Sequence, residues 1–148
     1  MLKITILAVG TIKEKYMRDA INDYVKRLSR KWKVSFTEVK ECQSIGEEGA
    51  LLKKAIPQGS FVVALDLKGK MLDSEEFAGF IDAKMTEGVS NVTFVIGGSD
   101  GLDRSVPECA DFSLCLSKMT FTHQMTRLIL LEQIYRAMKI ISGEKYHK

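Results

Sequence analysis

The sequence predicts an α/β domain: a mainly parallel sheet with helices on both faces. Three observations carry that prediction. Runs of apolar and β-branched residues alternate with runs of helical period, the pattern of consecutive βα units. Phe61 to Asp66 is a near-continuous apolar run, as strands covered on both faces are. Val92 to Ile96 leads straight into Gly97-Gly98-Ser99-Asp100-Gly101, which places a glycine-rich turn directly after a strand. In sheets of this kind a ligand sits beyond the carboxyl ends of the strands.

Taken in order, Leu2 to Val9 reads as a buried first strand. A helix follows over about Lys13 to Lys31, with Met17, Ile21, Tyr24 and Leu28 on its core face. Val34 to Val39 is the second strand, with Val34, Phe36 and Glu38 on one face. Gly46 to Ile56 is a shorter helix, stopped by Pro57 and Gly59. Phe61 to Asp66 is the third strand, and Leu67-Lys68-Gly69-Lys70 is expected to turn the chain. Ser74 is the expected cap of a helix to about Met85, with Glu75 and Glu76 at its positive end. Val92 to Ile96 is the fourth strand, Val106 to Ala110 a short helical piece, Phe112 to Leu116 the fifth strand, and His123 to Ser142 a long last helix. That helix carries two apolar rows: Leu128, Leu131, Tyr135 and Met138, and Leu130, Ile134, Ala137 and Ile141. So wide an apolar surface fits a helix sunk deep in its own domain or one that also meets a second subunit.

Bulk properties narrow the class. The 148 residues fit a single domain, 1–148. A chain of this size buries roughly 68–70% of its unfolded surface, enough to fold without disulfides or a metal. With 45% hydrophobic and 28% charged residues, disorder is not supported. A net charge of +3 permits nucleic acid as a partner without requiring it. Cys42, Cys109 and Cys115 show no CxxC spacing, which fits a reduced, cytoplasmic protein. The first residues lack the features of a signal peptide, and no apolar run reaches the ~18 residues of a membrane span.

The motifs present place any cofactor pocket late in the chain. The first strand ends in Val9-Gly10-Thr11-Ile12, which is no GxGxxG fingerprint, and no GxxxxGK[ST] phosphate loop occurs. The glycine cluster at 97–101 lets a ligand approach the backbone, although a bare cluster is more often a tight turn. Leu116-Ser117-Lys118-Met119-Thr120-Phe121-Thr122-His123-Gln124 joins a strand end to the last helix. Amides at that helix start suit an anion, Thr122 can cap it, and the hydroxyls and Phe121 fit a small polar ligand with an adenine-like ring. Gly143-Glu144-Lys145-Tyr146-His147-Lys148 is an end that on spacing alone reads as frayed, though His147 could handle protons near neutral pH. Lys26, Arg27, Arg30, Lys31 and Lys33 form a basic run, either a solvated face or an RNA contact, and Trp32 and Tyr24 beside it fit packing better than base stacking. The two histidines and three cysteines lack zinc spacing, so no metal is expected. No GxSxG elbow occurs.

In their order and spacing these segments resemble the ribosomal large subunit RNA methyltransferase H family, within the knotted SPOUT superfamily. The carriers are Phe94 to Gly101, Leu116 to Gln124, Leu130-Leu131-Glu132-Gln133-Ile134-Tyr135-Arg136-Ala137, and Tyr146-His147-Lys148. One departure is Thr122, where many relatives place proline; threonine can also begin a helix. The resemblance covers essentially the whole chain. It implies a C-terminal trefoil knot, which pattern reasoning cannot supply, and a homodimer. It further implies S-adenosylmethionine as methyl donor and N3 of a pseudouridine in 23S rRNA, within the assembled ribosome, as acceptor. By position it assigns cofactor binding to Leu65, Gly97, Leu116, Ser117, Lys118, Met119, Thr120 and Phe121. Tyr146 and His147 are to approach the base, from their own or the partner subunit, with His147 as the candidate base and Arg136 or Lys148 steadying negative charge. A knotted methyltransferase for another rRNA or a tRNA site, and a non-catalytic ribosome-binding protein, are the alternatives.

Overall fold

The computed structural model describes residues 1–146; His147 and Lys148 lie outside them. The elements run β1 (Lys3–Val9), α1 (Lys15–Leu28), β2 (Lys33–Val39), α2 (Ile45–Ala55), β3 (Phe61–Met71), α3 (Ser74–Thr86), β4 (Asn91–Ile96), α4 (Ser105–Cys109), β5 (Phe112–Cys115) and α5 (His123–Ile141). The five strands form one sheet in the order β2-β1-β4-β3-β5. Every pairing between them is parallel.

Alternation along the strands builds two cores. Ile4, Ile6 and Ala8 of β1 and Phe94 and Ile96 of β4 face the larger one, with Met17, Ile21, Phe77, Ile81 and the buried face of α5. Leu7, Val9, Val62 and Val95 face the smaller one, which Leu52 of α2 and Val106 of α4 close. Helices therefore cover both faces of the sheet, as expected. The two apolar rows of α5 find their burial within this chain. Leu130, Leu131, Ile134, Tyr135, Ala137 and Met138 are all buried, between α1 and α3. No second subunit is needed to explain the width of that surface.

Two local expectations need correcting. Leu67-Lys68-Gly69-Lys70 does not turn the chain out of the sheet. β3 continues to Met71, and its register against β5 shifts between Leu65 and Lys70, so the intervening residues bulge. Gly69 permits this, because a Cβ there would lie 2.7 Å from the backbone of Ser113. The cap of α3 is Asp73 and not Ser74. Asp73 accepts the Glu76 amide at 2.7 Å while Glu76 accepts the Asp73 amide at 2.8 Å, a complete capping box. Ser74 instead donates to Gln133 Oε1 at 2.6 Å and ties α3 to α5.

The start of α5 is anchored by a residue that no motif marked. Arg127 is 1% exposed. Its guanidinium donates to the carbonyls of Val9 and Gly10 at 3.1 and 2.7 Å and to Glu38 at 2.5 Å. A buried cation thus clamps the last helix to the carboxyl ends of β1 and β2. Replacing it with Met leaves two carbonyls without a donor and Glu38 unpaired, for a loss of about 3 kcal/mol. Glu38→Gln keeps an acceptor and costs about 1 kcal/mol. Urea unfolding checks both; an Arg127→Met loss under about 1 kcal/mol would show that the clamp is not structural.

Candidate active site

The carboxyl ends of β4 and β5 and the bulge of β3 open into a cavity of about 690 Å³, within the range of small-molecule sites. Three segments wall it: Leu65-Asp66-Leu67 of the β3 bulge, Ile96 to Leu102 at the end of β4 and after it, and, from the end of β5 onward, Leu114 to His123 without Lys118, together with Thr126.

The glycine segment closes on itself. The Gly101 amide donates to the Gly98 carbonyl at 3.0 Å, and Gly101 has φ +85°, a conformation glycine takes without strain. Gly97 lies beneath this turn, where a Cβ would stand 2.5 Å from the Gly101 carbonyl carbon. The β5–α5 loop is fixed at both ends. Ser117 Oγ accepts the Met119 amide at 3.0 Å, and Thr122 Oγ1 accepts the Met125 amide at 3.1 Å as the N-cap of α5. Met119 is 75% exposed beside the opening, available to cover a ligand.

Of the residues assigned to cofactor binding, Leu65, Gly97, Leu116, Ser117, Met119, Thr120 and Phe121 line the cavity. Lys118 is exposed and does not. The structure also brings in Asp66, Ile96, Leu102, Cys115 and Thr126. Asp66 could have been found from its place directly after Leu65 at the end of the buried run. Partial burial pushes its carboxyl up, but hydrogen bonds from Arg104 and the Lys68 amide, with the charge of Arg104, outweigh that and hold it below the usual carboxylate range. The Arg104–Asp66 bridge spans 3.0 Å. The wall is otherwise largely apolar, with Asp66 and Asp100 as its carboxylates. Such a pocket suits a ligand with an apolar or aromatic part and a cationic centre. The apolar side chains and the nearby carboxylates fit S-adenosylmethionine, and the glycines at 97 and 98 let the turn pack closely enough to form this wall.

Arg136 and Tyr146 lie elsewhere. Thr126 lines the cavity, and Arg136 stands ten residues further along α5, about 15 Å of helix axis away. Tyr146 packs edge-on to Tyr135 at 4.9 Å, lies under the Arg136 guanidinium at 4.9 Å and donates to Glu132 Oε2 at 3.2 Å. The structure thus brings Tyr146 and Arg136 together but not to the cavity of their own chain. His147 falls outside the described residues. Burial, reinforced by Tyr24 and Glu132, pushes the Tyr146 phenol up to about 12, so at neutral pH it is a hydrogen-bond donor. The folded state then holds a proton that the unfolded chain releases near pH 10. Its stabilisation is complete below pH ~10 and is lost as pH rises toward about 12. The stability gap between the parent and Tyr146→Phe, read from denaturant midpoints, is expected to stay flat from pH 7 to about 9.5 and change above it. A gap that already moves below about pH 9 would contradict the shift.

Among the described residues no three of His, Cys, Asp and Glu are placed to hold a metal ion. None of their helices is long and apolar enough to cross a membrane.

Comparison with known proteins defines the class. The family model described as "Predicted SPOUT methyltransferase" matches residues 2–147, and the chain belongs to that family of methyltransferases. Solved structures agree in fold. A "probable methylase family protein" from Haemophilus influenzae superposes with a TM-score of 0.59 over 98% of this chain and 70% of the other, at 14% identity. The tRNA (m1G37) methyltransferase of Aquifex aeolicus gives 0.55 over 91% and 69%, at 15% identity. More specifically, the chain is 50% identical to a protein of Carboxydothermus hydrogenoformans named Ribosomal RNA large subunit methyltransferase H, over 99% of this chain and 100% of that one. It is 48% identical, with the same coverage, to the protein of that name in Ruminiclostridium cellulolyticum.

Proposed function

We propose that this protein transfers a methyl group from S-adenosylmethionine to N3 of a pseudouridine in 23S rRNA, on the assembled ribosome, as a cytoplasmic homodimer with a knotted C-terminal part. The observation that carries the reading is the cavity. Its walls are the glycine turn and the β5–α5 loop, the two segments that mark the family resemblance, in a chain alike over its full length to proteins named for rRNA methylation.

When bound, the cofactor supplies a methyl already activated on a sulfonium, so the protein's work is alignment and proton handling. Leu65, Ile96, Leu116 and Phe121 exclude water from the cavity, and Asp100 offers negative charge to a cationic centre. The N3–H proton must leave for the nitrogen lone pair to attack the methyl carbon, and His147 receives it on a neutral imidazole nitrogen. Arg136 or Lys148 faces the negative charge that develops on the base, and Tyr146 approaches the base beside them. The position of Tyr146 and Arg136, away from their own cavity, favours delivery of the tail by the second subunit.

Calorimetry with S-adenosylmethionine, paired with single-turnover methylation by His147→Ala, tests the reading. Saturable cofactor binding in both proteins with turnover lowered about a hundredfold in the variant is expected. No binding at millimolar cofactor would overturn the enzyme reading. Unchanged turnover would remove His147 as the base.

A further inference from the structure

The amino ends of the strands, opposite the cavity, carry cations that the fold does not use. Lys3 opens β1, Lys33 opens β2, and the two are direct partners in the parallel register. Register partners point to the same face on strands about 4.8 Å apart, so two ammonium groups stand side by side. The next residue in that row, Asn91, brings no negative charge. Lys26 lies in the last turn of α1 and Lys31 in the turn that follows it. All four lysines are exposed, and none has an ion-pair partner among the described residues. Nearby Arg27 and Arg30, by contrast, are engaged by Asp23 and Glu144.

Like charges placed directly opposite on neighbouring strands cost stability, so this row works against the local energetics. A lysine on an edge strand can guard the open edge of a sheet, which accounts for Lys33 on β2. It does not account for Lys3 on an interior strand, or for Lys26 and Lys31 outside the sheet. Their position is the second clue. Arg30 reaches Glu144 at 3.5 Å, so the segment leading into Tyr146 passes beside this group. The cavity lies at the other end of β1, six residue steps or about 20 Å away.

We infer that Lys3, Lys26, Lys31 and Lys33 grip the phosphate backbone of the RNA flanking the base that the tail engages. The inference rests on the rRNA reading above. The lysines supply a sequence-independent hold on a polyanion, which suits a substrate located by its place in a folded RNA. It also assigns the two ends of the sheet separate tasks: cofactor at the carboxyl end, RNA backbone and tail on the amino side.

The test is the quadruple variant Lys3→Gln, Lys26→Gln, Lys31→Gln, Lys33→Gln, with the corresponding quadruple Arg variant as rescue. Binding to whole ribosomes is measured against salt, alongside methylation kinetics and cofactor calorimetry. In the Gln variant the slope of log affinity against log salt is expected to shrink by about 3, since each neutralised phosphate contributes roughly 0.7–0.9 to it. The KM for ribosomes rises at least about tenfold, kcat and cofactor affinity stay at parent values, and the Arg variant restores binding. Should the quadruple variant not fold, Lys26→Gln with Lys31→Gln, both outside the sheet, is expected to reduce the slope by about 1.5. An unchanged slope and KM would overturn the grip, as would a variant that only self-associates, which would leave the lysines as guards of the sheet edge. If the parent binds ribosomes with a slope that falls in the variant but transfers no methyl group, the grip stands and the enzyme reading fails. If the parent binds no RNA, both fail.

Discussion

Gly97→Ala is expected to lower kcat/KM for methyl transfer by at least about a hundredfold, since a misplacement near 1 Å at a reacting site costs that much. The added Cβ would stand 2.5 and 2.6 Å from the carbonyl carbon and oxygen of Gly101 and 2.8 Å from the Leu102 nitrogen. All three are backbone atoms of the turn that walls the cavity, so no side-chain rotation relieves the contact and the turn itself must move. Gly101→Ala is the control. There the cost is backbone strain at φ +85°, but nothing lies within 4 Å of the new methyl. That variant is expected to lose about 1 kcal/mol of stability and keep its cofactor affinity. Cofactor calorimetry and thermal unfolding of both variants check the contrast. Equal cofactor affinity in Gly97→Ala and the parent would mean that the turn does not shape the site.

The second large effect concerns the tail. In a dimer whose tails act across the interface, each site takes its cavity from one protomer and Tyr146-His147 from the other. Mixed dimers of Gly97→Ala and His147→Ala protomers then hold one intact site each, although either variant alone keeps only about a hundredth of the activity. Such dimers, isolated with two different affinity tags, are expected to show about half the parent activity. If tails served their own cavities, one protomer would lack a working cavity and the other a working base. The mixed dimer would then be as inactive as its parents.

Much of the fold was legible because the sheet is parallel and buried. Leu2 to Val9 and Val92 to Ile96 read as strands from apolar content alone, and their neighbours in space are equally apolar. The β3 bulge was not legible: Leu67-Lys68-Gly69-Lys70 has turn composition, and only pairing with β5 keeps it in the sheet. Arg127 escaped notice for a similar reason. Its partners are Glu38 and two carbonyls more than eighty residues away in sequence, and an arginine on an apolar helix carries no local sign of burial. The cavity was placed by elimination of early cofactor motifs and by the glycine turn, but its wall from Asp66 depended on the same bulge. Tyr146 and Arg136 were grouped by resemblance. Their contact with each other, and their distance from the cavity, came only from the packing of the tail on α5.

Transfer of a labelled methyl group from S-adenosylmethionine to whole ribosomes, compared with naked 23S rRNA and followed by mass analysis of the labelled nucleoside, is the most direct test. Label on whole ribosomes, carried by a pseudouridine methylated at N3, with little on naked rRNA, is the predicted result. No transfer to ribosomes at saturating cofactor, or label found instead in tRNA, would contradict it.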